Sequence, residues 1–216
     1  MDESAEAKTS GRLSRSDTVR LEALSDGVIA VAITLLVLDL KVPHVGEGSL
    51  WQALTLQWPT YVAYAMSFLV IGIWWLNHHS YFKQVRYATR PLMLLNLILL
   101  MLIVAIPFAT SLVADYLGEP GFNARLAMAI YNGLALCSAI VVISMWKYVL
   151  NRPDLLEPEV DVAAAIKTFP RFALGSTIYL LLVGLSFINA VAGLIGTLAV
   201  AVYYCFEHLP KSPKAD

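Results

Sequence analysis

The chain has 216 residues, of which 58% are hydrophobic and only 14% charged, and its formal net charge is −1. That composition excludes an ordinary soluble domain and points to a polytopic membrane protein. Near-neutral charge with no dense basic cluster also argues against nucleic acid as a partner.

Residues 1–17 are polar and Ser-rich and read as a disordered cytoplasmic tail. A spanning helix needs roughly 20 mostly apolar residues. Six runs qualify, at about 25–42, 60–80, 92–115, 124–147, 166–186 and 188–206. They define an all-α, six-helix membrane domain over 18–208, with a short cytoplasmic tail at 209–216. The first run carries Asp26 early and lacks a small-residue cleavage site, so it reads as a span rather than a signal peptide.

That first run, RLEALSDGVIAVAITLLVLDL from Arg20 to Leu40, places Asp26 and Asp39 at the two ends of an apolar stretch. Carboxylates at the ends of a membrane helix are costly and mark function or assembly. Between them Val31, Leu35 and Leu38 recur at i, i+4 and i+7, one stripe of a helix, with Gly27 and Thr34 at its edges. Asp26 projects to nearly the opposite side. By spacing alone the stripe fits lipid-facing or core leucines, the commonest residues of any membrane helix.

The segment at 43–59 contains LWQALTLQW, a short interfacial helix with Trp51 and Trp58 at headgroup level. The connection at 148–165, with Pro153 and Pro158 among acids, is a loop. The last two runs are separated only by Phe187, Ile188 and Asn189, which makes them a tight antiparallel hairpin. Ala192 with Gly196, and Gly193 with Ala201, provide small residues for close helix packing. Cys137 and Cys205 sit inside apolar runs and read as small buried residues.

Basic residues set the orientation. Lys8, Arg12, Arg15, Arg20, Lys83, Arg86, Arg90, Lys147, Arg152, Lys167, Arg171, Lys211 and Lys214 fall on one side of six spans. Only Lys41 and Arg125 fall on the other. Both termini are therefore expected in the cytoplasm. On that side three polar clusters meet at similar depth: Arg20, Ser25 and Asp26; Trp75, Asn77 and His78; and Asn96. A hydrogen-bonded network across the first three helices is available to them. The alternative for Ser25 and Asp26 is an N-cap and a first-turn acid of an ordinary helix. No metal motif, phosphate loop or nucleophile elbow is present, so the reading is of a non-enzyme without a cofactor.

Arg20-Leu-Glu-Ala-Leu-Ser25-Asp26-Gly27, followed by AVAITLLVLDL, resembles the first-helix signature of the transmembrane protein 175 potassium-channel family. The likeness continues in WWLNHHSYF (Trp74 to Phe82), around Asn96 and in Ile106 to Phe108. The resemblance implies six helices per subunit and a homotetramer whose pore is lined by the first helix, in the single-copy prokaryotic form. It implies that Val31, Leu35 and Leu38 constrict the pore, with Thr34 as a hydroxyl layer. It assigns Arg20, Ser25, Asp26, Trp75, His78 and Asn96 to an inter-helix network. Leu24 stands where the family usually has Phe, and Val31 where Ile or Leu is usual. The expectation is a potassium-permeable channel in a prokaryotic plasma membrane, with potassium and the lipid bilayer as its partners. The alternatives are a secondary or proton-coupled carrier using Asp26 and His78, and a non-catalytic membrane assembly protein.

Overall fold

The structure, a computed structural model, describes residues 15–45, 48–119 and 121–206. Its elements in chain order are α1 Arg15–Leu35, α2 Leu50–Leu56, α3 Trp58–Phe82, α4 Arg90–Tyr116, α5 Phe122–Leu150, α6 Val162–Ile188 and α7 Ala190–Phe206. A 3-10 turn at Leu36–Asp39 continues α1, and another at Pro153–Leu155 follows α5. The described chain is all-α apart from one isolated bridge between Val85 and Leu156.

Among the described residues, four stretches are long and apolar enough to cross a membrane: Thr18–Asp39, Trp58–Phe82, Arg90–Tyr116 and Phe122–Leu150. Two further apolar stretches, Leu174–Ile188 and Ala190–Cys205, are shorter. The short helix expected before the second span is α2, separated from α3 only by Gln57. Trp51 and Trp58 are both exposed there.

Helix α1 begins at Arg15, well before the apolar run at 25. The reason is a continuous buried stripe: Thr18, Leu21, Ser25, Ile29, Ala32 and Leu36 are all buried and spaced three or four apart. Residues 15–17 are thus helical rather than part of a tail. Residues 1–14 and 207–216, which carry the rest of the two expected tails, lie outside the described residues.

The bundle has two recognisable ends. At one, the backbone N–H of Ala88 donates to Thr18 Oγ1 at 2.9 Å, tying the start of α1 to the α3–α4 connection. That connection pairs with the segment after α5, through Arg86 N–H to Leu155 O at 2.8 Å and Glu157 N–H to Gln84 O at 2.9 Å. Tyr81 donates to Met145 O beneath this layer. At the other end, Gly121 adopts φ +136°, a left-handed turn that suits glycine and starts α5. Arg125 Nη1 reaches Phe187 O there at 3.4 Å.

Helices α6 and α7 are joined by Asn189 alone, whose side chain caps Ala192 N–H at 3.0 Å. A Cβ at Gly193 would collide with Ser186, and one at Gly196 with Leu182. The pairing 186 with 193 and 182 with 196 is antiparallel, and the small glycines let the two helices approach closely. A buried knot locks this hairpin to α5. Asn132 Nδ2–H donates to Ser186 Oγ at 3.0 Å, and Thr197 donates to Asn132 Oδ1 at 2.8 Å.

The two cysteines depart from expectation. Cys137 and Cys205 are free, but both are exposed rather than buried. Each lies on a helix face turned away from the core of the chain, where small size confers no packing advantage. With Cys137 and Cys205 replaced, single cysteines at Ser49 and Asn151 should react with impermeant thiol reagents from opposite sides of the membrane. Labelling of both from outside intact cells would contradict the two-ended bundle.

Candidate ion pathway along the first helix

The buried stripe of α1 faces α3 and α4, and at its centre is a polar chain. Ser25 donates to Leu21 O at 2.8 Å, so its hydrogen is committed to its own helix. Ser25 Oγ can then only accept, and Asn96 Nδ2–H on α4 donates to it at 2.9 Å. This orients the amide, turning Asn96 Oδ1 toward His78 Nε2 on α3 at 2.8 Å. An oxygen facing that nitrogen requires His78 to carry its proton on Nε2. Ser25 and Asn96 are fully buried, and His78 nearly so. His78 Nδ1 is buried with no hydrogen-bond partner among the described residues.

A second, more exposed set lies beside the first. Trp75 Nε1–H donates to Asp26 Oδ1 at 2.9 Å. His79 Nδ1 meets Glu22 Oε1 at 2.8 Å, and the His79 ring stacks on Trp75 at 5.9 Å between centroids. Adjacent histidines diverge by about 100° on a helix, so His78 serves the buried chain and His79 the outer one. Glu22, Asp26 and His79 bring ligand-type atoms within 4.8 Å of one another. His79 Nδ1 is already engaged by Glu22, so the arrangement is satisfied as a hydrogen-bonded set without a metal.

Five of the six expected network residues are therefore brought together, in two branches. Arg20 is not: it is exposed, and among the described residues no hydrogen bond joins it to the other five. Glu22 and His79 were absent from the expected set. The signal that could have found them is the i, i+4 spacing of Glu22 and Asp26, matched by the same spacing of Trp75 and His79.

The other face of α1 is uncovered. Val31, Leu35 and Leu38 are 58%, 40% and 69% exposed, although all three are apolar. Thr34 is exposed among them, and its hydroxyl donates to Val31 O at 2.8 Å. The outward side of that hydroxyl is thus an acceptor. Ile33 is only partly buried and packs against the core. At its far end α1 is tied down again, where Ser111 on α4 donates to the Asp39 carboxylate at 2.8–2.9 Å.

A protein-family model described as "Endosomal/lysosomal potassium channel TMEM175" matches residues 20–107. A potassium channel of Streptomyces collinus is 45% identical over 196 residues, covering 90% of this chain and 95% of that protein. The chain belongs to the TMEM175 family. A potassium channel of Chamaesiphon minutus is 37% identical, with 89% and 96% covered. The crystal structure of a lysosomal potassium-selective channel TMEM175 homologue from Chamaesiphon minutus superposes with a TM-score of 0.80 at 36% identity. It covers 88% of this chain and 97% of that one. The human protein named endosomal/lysosomal proton channel TMEM175 is 34% identical over 151 residues, but only 30% of its length is matched. The TMEM175 match in residues 20–107 covers most of α1, all of α3 and most of α4, the helices that hold both polar branches and the uncovered face.

Asn96→Ala in this TMEM175 chain removes the shared partner of Ser25 and His78. It should cost about 1–3 kcal/mol for each buried group left unpaired. Asp26→Ala, which frees only the part-exposed Trp75 N–H, should cost about 1 kcal/mol. Thermal stability of the detergent-solubilised protein checks the order; equal losses would contradict it.

Proposed function

We propose that this chain is a potassium-permeable channel, active as a homotetramer of six-span subunits in a prokaryotic plasma membrane with both termini in the cytoplasm. One observation carries the reading. The face of α1 that its own subunit leaves bare is apolar around Val31 and Leu35, while among the described side chains Glu22, Ser25 and Asp26 bond to α3 or α4 and Thr18 to the connection between them. Four such faces around a four-fold axis form a closed cyclic assembly. The near full-length matches to potassium channels support the same reading. So does the charge split, with Lys41 and Arg125 at one end of the bundle and the other described basic residues toward the opposite end.

In this assembly Val31, Leu35 and Leu38 form apolar rings, and narrowing at such rings expels water and raises the barrier to ions. Helical carbonyls are already bonded and cannot replace an ion's hydration shell. Discrimination then rests on the cost of partly stripping water from each ion, which is lower for potassium than for sodium. The Thr34 hydroxyls, each with its hydrogen held by Val31 O, offer acceptor oxygens to a partly dehydrated cation. Ser25, Asp26, Trp75, His78 and Asn96 hold the first helix in place from behind; Arg20 stands outside this network. The carrier reading has less support, because His78 bonds to Asn96 and Asp26 to Trp75, so the two do not form a protonatable pair.

Purified protein in planar bilayers under opposed potassium and sodium gradients tests the proposal. Leu35→Ala trims four side chains at once, so both conductances should rise and their ratio should move toward one. Ile33→Ala, on the packed side of α1, should change stability but not ion preference. Sensitivity at Ile33 with silence at Leu35 would place the pore elsewhere.

A further inference from the structure

The apolar run of the first helix reads as one continuous α-helix to about residue 42, but its last turn is wound differently. The α-helical ladder ends at Leu35, and Leu36–Asp39 is a 3-10 turn closed by Leu40 N–H to Val37 O at 3.0 Å. The change of winding alters which way two side chains point. An α-helix advances about 100° per residue and a 3-10 helix about 120°. Continued α winding would carry Asp39 to within about 40° of Leu35, onto the bare face. It would swing Leu38 about 60° away from Leu35. In 3-10 winding residues three apart eclipse. Leu38 then stands directly over Leu35, and Asp39 stands over the fully buried Leu36, on the side of α4.

Ser111 meets Asp39 there. Its hydroxyl lies 2.9 Å from Oδ1 and 2.8 Å from Oδ2 of the carboxylate, and a farther 3.1 Å from Pro107 O on its own helix. A hydrogen bond to a charged acceptor is about twice as strong as one to a neutral carbonyl, so the hydroxyl favours Asp39. Asp39 is half-buried and Ser111 part-buried, which limits competition from water. We propose that the Ser111–Asp39 bond holds the last turn of α1 in 3-10 winding, making Ser111 on α4 a positioning residue for the Leu38 ring of the pore. The inference rests on the reading that four copies of α1 line that pore. It sets the rings of Val31, Leu35 and Leu38 at near-even steps of about 6 Å along the axis, with the Asp39 carboxylates withdrawn from the bare face.

The test is a double-mutant comparison on the full-length protein in planar bilayers, reading the potassium-to-sodium permeability ratio, with the elution position in size-exclusion chromatography as the check of assembly. Ser111→Ala should lower the ratio toward one. Leu38→Ala should also lower it, and Ser111→Ala should then add nothing in the Leu38→Ala background, because the residue it positions is gone. Asp39→Asn keeps an oxygen to accept the Ser111 hydroxyl and should retain most of the ratio that Ser111→Ala loses. If Ser111→Ala does not assemble, Asp39→Ala empties the same bond from the other side and is judged by the same outcomes. A silent Ser111→Ala beside an effective Leu38→Ala overturns the clamp and leaves the pore reading standing. A silent Leu38→Ala sinks both. Additive losses, or an Asp39→Asn as damaging as Ser111→Ala, would assign the effect to packing or to the carboxylate charge and overturn positioning.

Discussion

A polar group in the apolar interior of a membrane protein must find its partner inside the protein, because lipid offers none. Asn96 meets that demand for two helices at once. Its amide hydrogen satisfies Ser25 on α1 and its oxygen satisfies His78 on α3. Because Ser25 has already committed its own hydrogen to Leu21 O, the amide has one workable orientation, and the histidine tautomer follows from it. Rotating α1 about its axis would break this chain and leave fully buried atoms unpaired. The direction of the bare apolar face is a consequence of that bond.

The same logic recurs at the far end of α1 and in the second half of the chain. Asn96 and Ser111, fifteen residues apart on α4 and thus about 22 Å along it, hold α1 near both ends. Between them the packing is apolar and close, with Ile29, Ala32 and Leu36 on the inner side. In α5 to α7 the Asn132–Ser186–Thr197 knot ties three helices through fully buried atoms. Without a hydrophobic drive between helices in lipid, such bonds and glycine-mediated contact give association its specificity. The fold is two hydrogen-bonded knots joined by tightly packed spans.

Exposure means something different here from what it means in a soluble protein. Val31, Leu35 and Leu38 would be aggregation-prone on a water-facing helix, as would Cys137 and Cys205 if they were reactive on an open surface. On a chain whose apolar helices are long enough to cross a membrane, an uncovered apolar face is ordinary. What distinguishes α1 is that Glu22, Ser25 and Asp26 turn to α3 and α4, leaving Thr34 as the polar side chain among Val31, Leu35 and Leu38.

The sequence by itself determined the helical class, the succession of apolar runs, the hairpin at 187–189 and the family, because each is written in local composition or in a contiguous motif. It also indicated Ser25, Asp26, Trp75, His78 and Asn96 as polar groups at one depth. It left open whether the Val31 stripe was lipid-facing, core or pore, since a period of 3.6 records a face and not what covers it. Only the tertiary structure separated the polar groups into a buried branch and a part-exposed one, removed Arg20 from both and added Glu22 and His79. Only it ended the α winding at Leu35 and brought Asp39 to Ser111, seventy-two residues along the chain. Those outcomes depend on which helix lies beside which, and that is settled by pairing buried hydrogen-bonding groups across the bundle, whereas sequence spacing records a shared face and not the partner it meets.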